Sequence, residues 1–262
     1  MAEPELYVDA AGDGLPVVLC HGLGGSARNW RVQLRALRPR YRAIAYDARG
    51  HARSQAPSGA GAYHMQRLVD DLGRVLDANP RGPAVVAGLS LGAATALHFA
   101  LAQPERVRGL VLASFPAPRA AGGFADVALE FAAAIERDGL EAAGARYVWG
   151  EASGLDPQAA ALVRAGFLEH APLAIAALLR EAIAAQPAVE ALAPRLAALE
   201  APALVVAGAA DRGSLGPSRA LAAALPRARL AVIEAAGPVV NLARPDAFNR
   251  LLLGFLDEIE AA

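Results

Sequence analysis

A single cysteine, Cys20, stands among the 262 residues, so no disulfide can form within the chain. It lies in the apolar run 17–20, where a buried, inert thiol is expected. The competing reading, a thiol nucleophile beside His21, lacks a neighbour that would lower its pKa. No stretch reaches eighteen uninterrupted apolar residues, so no membrane span is expected. The opening MAEPELYVDAAGDG has no basic segment followed by an apolar one; no signal peptide is expected, and the location read from it is cytoplasmic. Formal net charge is −1, and no basic run is interleaved with aromatics, which argues against a nucleic-acid partner. The 5 histidines and the cysteine form no H-E-x-x-H or C-x-x-C spacing, so no metal site is predicted. A phosphate-binding G-x-x-x-x-G-K-[ST] loop is also missing. These absences leave cofactor-free chemistry on a small molecule, by a monomer or homodimer.

The composition, 55% hydrophobic and 19% charged, is that of an ordinary soluble globule. The chain is organised around residues 83–100, PAVVAGLSLGAATALHFA. There a β-branched run enters Gly88-Leu89-Ser90-Leu91-Gly92 and a helix-forming stretch follows at once. Strand, tight turn and helix are the context that gives a G-x-S-x-G match meaning. The turn holds Ser90 at a helix N-terminus, where developing negative charge is favoured. A Gly-rich turn with a capping serine would read the same way.

Other strands are predicted at 5–9, 16–20, 42–46, 106–114, 203–207 and 229–233. Helical spacing occupies 29–37, 65–76 and 245–259. Between 115 and 199 strands disappear, and helical stretches at 124–137, 140–149, 157–169 and 172–185 follow one another. Alternating strands and helices imply a mostly parallel sheet covered on both faces. Ligands in such sheets bind beyond the carboxyl ends of the strands. His21, Ser90, Phe115 and Asp211 all lie just past such ends.

Four motifs make the chain resemble the α/β-hydrolase family over essentially its full length. His21-Gly22-Leu23-Gly24-Gly25 resembles the oxyanion loop, and 47–54 (DARGHARS) resembles D-x-R-G-H-G-x-S. Residues 88–92 resemble the nucleophile elbow, and Gly208-Ala209-Ala210-Asp211 the acid strand end. Small lidded lactonases and esterases of the 3-oxoadipate enol-lactonase type are the most similar in look. The resemblance implies an eight-stranded, mostly parallel sheet flanked by helices, with a helical lid inserted after strand 6. The core would then be 1–116 and 200–262, and the lid 117–199. It also implies acyl transfer: Ser90 attacks a carbonyl, backbone N–H groups of Leu23 and Leu91 hold the oxyanion, and Asp211 orients a histidine.

That histidine is missing. The family pattern G-H-x-x-N-L-E-R-P aligns with Gly237-Pro238-Val239-Val240-Asn241-Leu242-Ala243-Arg244-Pro245, so Pro238 stands at the triad position. Proline has no titratable group and no N–H, and no histidine occurs after His170. Asp211 could equally be a capping aspartate. Substitute bases are weighed at His170, between two lid helices, and His21, beside the oxyanion loop. Each has a structural reading: His170 as an exposed helix-junction residue, His21 as a hydrogen-bonding residue of the loop. His51 is expected to order its turn, His64 to be surface, and His98 to point away from Ser90.

Three readings therefore stay open: a weak or altered ester or lactone hydrolase, a non-hydrolytic lyase, isomerase or cyclase, and a ligand-binding pseudoenzyme. A largely apolar substrate pocket is expected from Trp30, Phe115, Phe124 and Trp149, with Phe131 and Phe167 nearby; each has a plain core reading. Arg28 and Arg212 could meet a substrate carboxylate or simply be solvated.

Overall fold

A computed structural model describes residues 3–117, 123–150, 153 and 155–262. Its centre is a 7-stranded sheet: β1 (Val8–Ala11), β2 (Pro16–Cys20), β3 (Arg42–Tyr46), β4 (Ala84–Leu89), β5 (Val107–Ala113), β6 (Ala203–Gly208) and β7 (Ala228–Ile233). Spatial order is β1-β3-β2-β4-β5-β6-β7. Only β1 runs antiparallel, pairing Val8 with Tyr46; the other pairs are parallel. β2 and β4 are buried along their whole length, which is why they read as continuous apolar runs rather than alternating ones.

Helices cover both faces. α1 (Arg31–Leu37) and the C-terminal helix, Pro245–Ala261, pack Leu34, Phe248, Leu252 and Phe255 against one face. On the other face lie α2 (Met65–Asp77) and α3 (Leu91–Ala102), with Leu72, Leu97 and Phe99 buried there. Between β5 and β6 comes a helical block: α4 (Phe124–Tyr147), α5 (Pro157–Phe167), α6 (Pro172–Leu178) and α7 (Val189–Ala197). α4 is broken at Gly139, whose φ of 80° no helix tolerates, so the two predicted helices around residue 138 are one element with a kink. α7 and α8 (Leu215–Ala224) were not anticipated; both carry an internal proline, Pro194 and Pro217, which obscures helical spacing.

Two expectations need correction. Among the described residues the sheet has seven strands rather than eight, and the helical insertion therefore comes after the fifth of the observed strands. The reason lies before Pro16. Glu5 and Tyr7 spend their carbonyls on the 47–55 loop, accepting from Gln55 N at 3.0 Å and Asp47 N at 3.0 Å. Only Val8–Ala11 is left to form an edge strand, three residues later than predicted. The insertion expected at 117–199 includes residues 118–122, 151, 152 and 154, which lie outside the described residues. Among the described residues no single helix is long and apolar enough to cross a membrane.

Candidate active site

The chain reverses its direction of progress across the sheet between β2 and β4, so the loops leaving these two strands flank one crevice. β4 runs into Ser90 and α3 starts at the next residue. Ser90 has φ 52°, ψ −116°, a conformation that costs a non-glycine residue about 1–3 kcal/mol and persists only where neighbours enforce it. Two hydrogen bonds do so: Ser90 N donates to Ala113 O at 2.9 Å, and Ala94 N donates to Ser90 O at 3.0 Å. A Cβ on Gly88 would collide with the Gly92 carbonyl, and one on Gly92 with the Cys20 carbonyl. The glycines on either side of the serine are therefore steric necessities. Ser90 is half-buried, and its Oγ has no protein partner among the described residues.

The loop after β2 comes close to this turn. A Cβ on Gly22 would lie 3.3 Å from Ser90 Cβ. Among the described residues, neither the Leu23 nor the Leu91 backbone N–H has a hydrogen-bond acceptor in the protein. Three imidazoles hold the loop from behind. His21 Nδ1 donates to Gly22 O at 2.8 Å while its Nε2 accepts from Ala48 N at 2.9 Å. His51 Nε2 accepts from Gly24 N at 3.0 Å, and its Nδ1 donates to Arg49 O at 3.1 Å. His170 Nε2 donates to Gly25 O at 2.9 Å. The rings pack edge-on, with centroids 4.7 Å apart for His21–His51 and 5.0 Å for His51–His170. Burial pushes His21 down to about 4 and His51 well below the ordinary histidine value, so both are neutral, as the N–H donors they accept from require. Both nitrogens of His21 are engaged. His170, buried rather than exposed, is tied to Gly25 through Nε2 and keeps a buried, unpartnered Nδ1, and neither weighed substitute base lines the Ser90 cavity. His64 is exposed, and His98 lies two turns along α3 with its Nε2 buried and unpartnered. Cys20 is a buried free thiol, pushed up to about 12 by burial; it packs under Tyr46, whose hydroxyl lies 3.6 Å from Sγ.

Asp211 follows β6 and is 7% exposed. Its Oδ1 accepts from Gly213 N at 3.2 Å and Ser214 N at 3.1 Å, and its Oδ2 accepts a short hydrogen bond from Ser214 Oγ. The carboxylate thus closes its own turn and reaches no histidine. Ala210 N donates to Ala236 O at 2.9 Å, which brings the segment containing Pro238 alongside this turn. Pro238 and Val239 line the same cavity as Ser90.

That cavity has a volume of about 260 Å³. Leu23, Leu89, Val148, Leu155, Leu162 and Val163 supply its apolar wall; Ser90, Asn29 and Tyr147 supply its polar side chains. Tyr147 carries the one titratable side chain on the wall among the described residues. The four aromatic residues expected here lie elsewhere. Trp30 and Phe115 are fully buried in the two cores flanking the sheet. Phe124 and Trp149 pack inside the helical block, where Trp149 meets Phe167 at 5.6 Å and Phe167 stacks on Phe131 at 6.0 Å. Arg28 is paired with Glu169 at 2.8 Å on the surface, and Arg212 does not line the cavity. Asn29 and Tyr147 escaped the sequence reading. Asn29 had a signal, since it stands three residues after Ser26 in capping-box spacing; Tyr147, at the end of a helix in the insertion, had none.

The profile of the alpha/beta hydrolase fold family matches residues 16–245, which takes in every strand but the edge strand β1. The chain belongs to the alpha/beta hydrolase fold family. Within this family it is 32% identical, over 98% of its length and 97% of the relative's, to a protein of Azorhizobium caulinodans provisionally named carbamate hydrolase RutD. The enol-lactonase from Burkholderia xenovorans LB400 superposes with a TM-score of 0.85 at 27% identity, covering 97% of both chains. A thermophilic esterase from Thermogutta terrifontis superposes with a TM-score of 0.87 at 26% identity, covering 98% of this chain and 94% of that one.

Proposed function

We propose that this alpha/beta hydrolase acts on a small, largely apolar carbonyl compound of the ester or lactone type, with weak or altered hydrolysis. The observation that carries the reading is the strained Ser90 turn opening into an apolar cavity beside two backbone N–H groups without acceptors. In this reading Ser90 Oγ attacks the carbonyl carbon and the oxyanion is held by Leu23 N–H and Leu91 N–H. Asp211 and the vacant histidine position at Pro238 make up the remainder of the triad, and the helical block of 117–199 serves as the lid on the core of 1–116 and 200–262. The esterase, lactonase and carbamate hydrolase names among its relatives point to the same substrate class.

The difficulty is the serine proton. Attack by Oγ forms a C–O bond and releases that proton, and among the described residues no histidine, carboxylate or lysine lines the cavity to take it. In subtilisin, loss of the triad histidine costs about 10⁶ in kcat and leaves about 10³–10⁴ over water from the oxyanion donors and binding. Slow acylation is therefore the expected behaviour. Incubation with 4-nitrophenyl butyrate or a fluorophosphonate should add the corresponding mass to Ser90. An unchanged intact mass after prolonged incubation sinks the proposal. Pro238→His should raise esterase turnover by orders of magnitude.

A second reading follows from Tyr147 being the titratable group on the wall. Two N–H donors and a phenol can stabilise an enolate or alkoxide with no acyl-enzyme, as a lyase, isomerase or cyclase requires. Ser90→Ala separates the two: this reading needs the native reaction to survive the substitution, and the first needs it to collapse.

A further inference from the structure

The wall of the Ser90 cavity carries no charged side chain among the described residues. Arg28, the cation on the neighbouring turn, is held by Glu169 through two hydrogen bonds of 2.9 and 2.8 Å. A carboxylate entering this space would lose its water without gaining a cation, which is costly for any buried charge.

Asn29 is the polar side chain whose orientation is fully determined. Its Oδ1 accepts from Ser26 N at 2.7 Å, its backbone N donates to Ser26 O at 3.0 Å, and its backbone O accepts from Asn241 Nδ2 at 3.0 Å. The Ser26 N–H demands an acceptor, so the amide cannot be flipped. Its Nδ2 is left as the end without a protein partner among the described residues, on a side chain that lines the cavity. Unlike the hydroxyls of Ser90 and Tyr147, this group only donates.

We infer that the cavity selects neutral, compact ligands carrying a hydrogen-bond acceptor, and that Asn29 Nδ2 is the specificity-determining donor that reads it. The inference deepens the reading of this cavity as the substrate site and rests on it. At about 260 Å³ the cavity lies just below the usual range of small-molecule pockets, which suits a compact ligand. Hydrocarbon is placed against Leu155 and Val163, and Leu162, 57% exposed at the rim, lets a longer chain pass outward. The acceptor, a second carbonyl or the ring oxygen of a lactone, is placed at Asn29.

Equilibrium binding tests this without turnover. Cyclohexanone and cyclohexanecarboxylate, titrated against the full chain by ligand-observed NMR, should differ by at least about tenfold in favour of the ketone. Asn29→Asp keeps the acceptor that Ser26 N–H needs but replaces the donor with a charged acceptor. It should weaken the ketone about tenfold or more while leaving Tm within about 2 °C. Val163→Arg should raise carboxylate affinity, by supplying the missing cation. Equal binding of ketone and carboxylate by the unsubstituted protein overturns the inference, as does an Asn29→Asp variant of unchanged ketone affinity. These outcomes are independent of Ser90 acylation. Failure to acylate removes the proposed reaction but not the selectivity, and lost selectivity in a protein that acylates removes only the inference.

Discussion

Pro238 differs from histidine in lacking a base, but Asp211 differs from a triad aspartate as well. Three of its hydrogen bonds go to residues 213 and 214, including one from the Ser214 hydroxyl to Oδ2. A histidine placed at 238 would meet an oxygen already occupied. Pro238→His alone is therefore expected to recover part of the activity, and Pro238→His with Ser214→Ala about tenfold or more beyond it. The bound is the roughly 10⁴-fold that the orienting aspartate supplies in serine proteases. Steady-state kcat for 4-nitrophenyl butyrate in the two variants decides it. Equal rates would mean that the turn, not the Ser214 hydroxyl, keeps Asp211 away. At the same scale, the location of the aromatic side chains was not legible in the sequence. Rings of Phe115 and Phe167 satisfy the same hydrophobic demand in a core or in a pocket wall, and only their neighbours distinguish the two.

At the scale of elements, the oxyanion-type loop is clamped by the junction between α5 and α6. Phe167 covers Gly24 so closely that a Cβ there would collide with the ring, His170 donates to Gly25 O, and Glu169 pairs with Arg28. These ties differ in worth. The Arg28–Glu169 pair is about half exposed on both sides, so Glu169→Ala should cost under about 1 kcal/mol. His170→Ala strips the donor from a carbonyl in a buried setting and should cost about 1–3 kcal/mol, measured as a shift in urea midpoint at constant m. The elbow is stricter still. Gly92→Ala forces a methyl into the Cys20 carbonyl, a backbone atom that cannot rotate aside, and should cost at least about 3 kcal/mol, the upper end of overpacking penalties. The elbow was readable because glycine spacing about a serine records a steric requirement. The clamp was not, since 167–170 and 21–25 are brought together only by folding.

For the whole molecule, the buried imidazoles set an acid limit. His21 binds its proton with a pKa of about 4 when folded, against 6.5 as the ordinary value, because of burial. The unfolded chain then holds more protons between these values, so stability falls as pH falls. The full contribution is present above about pH 6.5 and is lost on approaching pH 4, amounting to about 3 kcal/mol from His21 alone. His51, lowered for the same first reason, adds in the same direction. Urea unfolding should therefore show a lower midpoint at pH 5 than at pH 7.5, with the fall reduced in His21→Gln. A midpoint that is flat over this range would show that these rings are not neutral in the folded protein.

The order of the strands along the chain, the tight turn at Ser90 and the lack of a histidine at 238 were all written in the sequence. Hydrophobic period, glycine spacing and side-chain identity are local or covalent properties, and folding cannot supply an imidazole where none is encoded. What awaited the tertiary structure was each outcome decided by distant neighbours. The residues before Pro16 yield one strand because the 47–55 loop takes the rest. Three histidines from three separate segments are spent on holding a loop. The Asp211 carboxylate is satisfied by its own turn, and among the described residues the wall around Ser90 carries no charged side chain. In each case the deciding fact is which partner lies within about 3 Å of a polar atom, and such separations exist only once the chain has folded.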